Sequence, residues 1–145
     1  MSPAGRPRAR LPRDGRRDIG FAVLTGMNYF IQVTTIRFNI ARGTVDGLEQ
    51  FLQAKPDSVM SGINMLGWTI YFGLSSLVAG LAFQGNRLNR AIRVAFIANG
   101  VFCLLAGFGF ILDNAPLIFV TINLGMGGAV LAISILLMVY FRRMA

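Results

Sequence analysis

The side chains that could do chemistry inside this chain's apolar stretches are amides and hydroxyls. Thr25, Asn28, Gln32, Thr35 and Asn39 recur at spacings of 3, 4, 3 and 4. That rhythm lays all five on one face of a helix. Two later apolar runs carry Asn64 and Asn123 in the matching half of their length, so Asn28, Gln32, Asn64 and Asn123 are expected to meet in a neutral polar cavity. Asn99 falls toward the opposite surface and should not join them. Such a face has two readings. It supplies interhelical hydrogen bonds, each contributing about 0.6 to 2 kcal/mol in a membrane, or it lines a path for a small solute, an anion or a lipid headgroup.

Other chemistry is poorly provided for. The chain has no His, the usual general base and commonest metal ligand. Cys103 is the only cysteine, so neither an intrachain disulfide nor a CxxC pair can form. Lys55 is the single lysine. Asp46, Glu49 and Asp57 are the only acids near one another, and helix capping explains them more simply than a catalytic pair or a divalent-ion site. Gly125-Met126-Gly127-Gly128 lies inside an apolar run with no strand before it, which suits helix packing rather than nucleotide binding. No nucleophile and base can be paired, so an enzyme is not expected, and no cofactor or metal.

The elements that must position these residues are four apolar runs. Of 145 residues, 54% are hydrophobic and 14% charged, too apolar for a soluble globule of this length. Residues 19–36, 61–83, 94–112 and 117–141 are each long enough to cross a bilayer. The expected fold is an all-α integral membrane four-helix bundle. None of the four runs contains Asp, Glu, Lys or Arg, which argues against proton-coupled antiport, ion pumping and voltage sensing. Small residues mark contact faces: Ser76 and Gly80 on the second run, Gly100 and Gly107 on the third, Gly125 and Ala129 on the fourth. Trp68 lies too deep for an interfacial belt and should pack inside.

Charge sets the orientation. Residues 1–18 hold six arginines, the stretch Gln84 to Arg93 holds Arg87, Arg90 and Arg93, and Arg142 and Arg143 follow the last run. Eleven of the fourteen basic residues therefore fall on one side, facing Arg37, Arg42 and Lys55 on the other, and the positive-inside rule places both termini in the cytoplasm. The net charge of +8 is thus a topology signal and not a nucleic-acid patch, which needs its cations on one folded face. Residues 1–18, rich in Arg and Pro, are expected to form a disordered basic tail, and residues 19–145 the membrane domain. Between the first two runs, Asp46-Gly47-Leu48-Glu49 has the form of a capping box and implies a short amphipathic helix that ends at Pro56. Asp57 or Ser58 is placed to cap the second span.

From Thr25 to Arg143 the segments TGMNYFIQVTTIR, KPDSVMSGINMLGWTIYFGLSSL and LNRAIR, with the closing FRR, resemble bacterial multi-spanning membrane proteins of no assigned activity. The resemblance implies a bacterial cytoplasmic (inner) membrane. The expected partners are the lipid bilayer and a second copy or another membrane protein. The function expected from the residues is non-enzymatic: helix contacts within an oligomer or as an accessory subunit. The alternative is a channel or facilitator with an Asn/Gln/Thr-lined path.

Overall fold

The computed structural model describes residues 15–144, with side chains from 19 onward. The first fourteen residues of the expected tail lie outside that range, and the next four form the opening turn of the first helix. Among the described residues there are helices and no strands.

Four helices are long and apolar enough to cross a membrane: α1, Ile19–Ala41; α2, Val59–Ala82; α3, Arg87–Ile111; and α4, Ala115–Arg142. They point to a multi-pass membrane protein. α1 and α4 end beyond their uncharged runs and α3 begins before its own, because helix limits are set by backbone chemistry and not by the first charge. α1 passes Arg37 and stops at Gly43, whose φ of +72° is the left-handed conformation that closes a helix. There Thr44 N donates to the Asn39 carbonyl (3.0 Å) and Gly43 N to that of Ile40 (3.1 Å). Asp113, with φ +49°, closes α3 in the same way, Asn114 N bonding to the Gly109 carbonyl at 2.8 Å. Asn114 then caps α4 by accepting from Leu117 N (3.0 Å), with Pro116 in the first turn, where its missing N–H costs nothing.

The expected amphipathic helix is instead one 3-10 turn, Glu49–Phe51. Asp46 makes no capping bond to it; Gly47, at φ +77°, turns the chain away between Asp46 and the turn. Of the two possible caps for α2, Ser58 is the one used. Its Oγ accepts from Ser61 N (3.0 Å) and donates to the Leu52 carbonyl (2.6 Å). At the opposite end Asn86 caps α3 (Asn89 N to Oδ1, 2.9 Å), and Asn89 Nδ2 donates to the Gln84 carbonyl at 2.7 Å.

The helices pack in chain order. α2 and α4 both pack along α3, and α1 lies on α2. At the α2–α3 seam small residues let the backbones close in. A Cβ on Gly73 would stand 2.9 Å from Cys103 Cβ, and one on Gly100 would stand 2.5 Å from Leu77 Cγ and 2.8 Å from the Gly73 carbonyl. Ser76 and Gly80 are buried on the same seam, and Gly107 meets Thr69. Gly125 of α4 is filled by the Phe102 ring, and Ala129 is buried one turn on. Trp68 packs edge-on against Phe21 (5.3 Å) and Phe72 (5.6 Å) at the α1–α2 contact.

Three of the four helices widen into π turns, at Gln32–Ile36, Gly67–Tyr71 and Val120–Met126. All three lie about 8 to 18 Å in from the end that carries the long loop, at the helical rise per residue. π turns are rare and cluster at functional positions. Here they border the polar side chains.

Candidate functional site

The face of α1 delivers its amides to α2 and to the loop. Asn28 is fully buried, and its Nδ2 donates to Asn64 Oδ1 and to Gln53 Oε1, both at 2.9 Å. One turn on, Gln32 Nε2 donates to the Phe51 carbonyl (2.7 Å), and Gln53 N donates to Gln32 Oε1 (3.4 Å). Three carboxamide contacts therefore seat the segment from Phe51 to Gln53 on the end of the α1–α2 pair. Gln50 adds a second tie, its Oε1 accepting from Val59 N at 3.1 Å. The loop acts as a cover over the cluster.

Two oxygens in this cluster, Asn28 Oδ1 and Thr25 Oγ1, are buried and have no hydrogen-bond partner among the described residues. Thr25 faces Gly67, where an added Cβ would lie 3.3 Å from its Oγ1. By contrast Thr69 and Thr121 satisfy their hydroxyls on the carbonyls four residues back, at 2.7 Å each.

Not every expected member arrives. Thr35 is exposed and gives only its carbonyl, to Asn39 Nδ2 (2.7 Å). The cause is the π turn from Gln32 to Ile36, which adds a residue to the turn and brings Ile36, 5% exposed, to the place a regular helix would give Thr35. Asn123 also stays apart. It is exposed, and its Nδ2 donates to the Phe119 carbonyl of its own helix (2.9 Å). α4 packs on α3 while α1 packs on α2, so Asn123 does not meet Asn28 or Asn64. Asn99 lies deeper than its run boundary implies, because α3 begins at Arg87 and not at Val94. Fully buried, it donates from Nδ2 to Ser76 Oγ across the α2–α3 seam at 2.7 Å. Gln53 is the member that sequence reasoning missed; the sole hint was that the α1 amides needed partners.

Chemically the cluster is neutral. It can accept and donate hydrogen bonds, but it holds no group that would take a proton near neutral pH. Among the described residues no three His, Cys, Asp or Glu side chains converge. Outside the spans, Asp57 lies 3.8 Å from Lys55 in an exposed pair of the kind that contributes little. Comparison of the chain with family models, curated proteins and solved structures gave no match.

Proposed function

We propose that this chain is a non-enzymatic multi-pass membrane protein that acts through helix contacts, as an oligomer or as an accessory subunit of another membrane protein. The observation that carries the reading is how its polar side chains are used. Asn28, Asn64, Gln32 and Gln53 bond to one another and to the loop, a pattern of interhelical glue. α4, in contrast, packs on one side only and leaves Asn123, Gly127, Gly128 and Leu131 exposed on its other flank. Small residues beside an amide are what a neighbouring membrane helix packs against. The partner is a second copy or a different membrane protein, within the bilayer, and not a nucleic acid.

The charge distribution supports both termini lying in the cytoplasm, with the loop between α1 and α2 outside. A bacterial inner membrane fits the resemblance noted for the segments from Thr25 to Arg143.

A channel or facilitator is the second reading. It is favoured by the buried, unpartnered oxygens of Thr25 and Asn28, which would face a solute once the loop lifted. Reconstitution into liposomes separates the two. Under the contact reading, cross-linking traps oligomers that Asn123→Leu weakens, and solute and ion flux stays at background. Flux that Gln32→Leu removes from a folded protein would replace the contact reading with the path.

A further inference from the structure

The strongest charge feature of the described chain lies at the end opposite the amide cluster. Arg87 and Arg90 project from the first turn of α3, Arg93 is half-buried one turn further, and Arg142 and Arg143 end α4. An aromatic cluster draws the two sets together. Phe83, just past α2, stacks on Phe96 of α3 at 5.7 Å and meets Tyr140 of α4 edge-on at 5.9 Å, and Tyr140 meets Phe141 at 5.6 Å. Three helix ends thus converge on one set of rings, and the five arginines belong to the helix turns at that same end.

Among the described side chains these charges have no acid at their own end. Three arginines in the first two turns of α3 add to a helix end that is already positive, and that turn has no acid. The four acids whose side chains are described, Asp46, Glu49, Asp57 and Asp113, all lie in the connections at the other end. The short turn before α3 is meanwhile held in place by Asn86 and Asn89, so Arg87 and Arg90 rise from a fixed backbone. Gly80 keeps α2 and α3 close here, an added Cβ standing 3.2 Å from Phe96 Cβ.

We propose that this basic, aromatic-lined end is a binding site for the headgroup of an anionic phospholipid. The guanidinium groups take the phosphodiester, for which their forked donors are suited. Phe83, Phe96 and Tyr140 sit at the level where the glycerol and upper acyl chain begin. A zwitterionic headgroup brings its own cation to the arginines and is bound less well. The site depends on neither of the two functional readings above.

The test uses the full chain in nanodiscs of phosphatidylcholine with or without phosphatidylglycerol, followed by native mass spectrometry of the lipid that remains bound. The wild type should retain phosphatidylglycerol over phosphatidylcholine. Arg90→Gln with Arg142→Gln should lower that retention about 25-fold, from about fivefold per basic residue near a lipid surface, and Arg90→Lys with Arg142→Lys should keep most of it. Arg37→Gln with Arg42→Gln, at the far end, should leave it unchanged. Equal retention of the two lipids, or the same loss from the far-end pair, would overturn the site. Displacement of the lipid by millimolar inorganic phosphate would reassign the arginines to a free anion. If the Gln pair does not fold, Arg90→Gln alone should lower retention about fivefold, and unchanged retention in that variant counts against the site.

Discussion

Asn28 on the first helix and Asn64 on the second are joined Nδ2 to Oδ1 at 2.9 Å, and the same Asn28 nitrogen holds Gln53 of the covering loop. One carboxamide ties three segments that are far apart in sequence. Asn28→Leu removes both bonds and leaves Asn64 and Gln53 without their donor. It should lower the stability of the detergent-solubilised protein by about 1 to 2 kcal/mol, read by denaturant titration. Asn123→Leu, which breaks only a bond to its own helix, should cost the isolated subunit almost nothing.

Gln32 fastens the loop without being buried in the helix seam. Gln32→Leu should therefore leave the melting of the protein near wild type while the loop opens more often. A net hydrogen bond of about 1 kcal/mol corresponds to about fivefold faster cleavage between Thr44 and Asp57 by a protease added on that side. Unchanged cleavage would mean that the contacts of Gln50 and Ser58 hold the loop unaided.

The seam between α2 and α3 has no room at Gly100. Gly100→Ala must push Leu77 or the Gly73 backbone aside, and should cost about 1 to 3 kcal/mol as an overpacked core position. Gly128→Ala, where an added Cβ meets nothing within 4 Å, is the matched control and should be neutral in the monomer. If the α4 flank is a contact face, the same control variant should weaken cross-linking.

Cys103 is fully buried at the α2–α3 seam, against Gly73. A maleimide reagent should leave it unlabelled in the folded protein and label it once per chain after denaturation. Rapid labelling of the native protein would show that α2 and α3 separate. In a Cys103→Ser background, cysteines placed at Val45 and Gln84 should react from opposite sides of the membrane, with Gln84 inside.

The four spans were legible because lipid forbids charge over about 20 residues, and uncharged runs of that length stand out in the sequence. Their ends were not. Arg37 and the stretch from Arg87 to Arg93 are charged yet helical, since Gly43 and Asn86 decide where the helices stop and start. Asn28 bonds Asn64 and Gln53, and Gln32, one turn on, bonds the same loop segment. Spacing cannot show that a π turn carries Thr35 off the face, or that packing in chain order keeps Asn123 from the others. Gln53 sits in a loop without periodicity, so its insertion beside Asn28 left no pattern to read.

The π turns have one more consequence. In a regular α-helix, gaining or losing one residue rotates everything beyond it by about 100°, enough to turn a lipid-facing side chain inward. Gln32–Ile36, Gly67–Tyr71 and Val120–Met126 each hold extra length in a widened turn. A single-codon deletion within them can be absorbed by tightening the turn. α3, helical without interruption from Arg87 to Ile111, has no such slack, and there a frame-preserving change in length would be lethal to the seam.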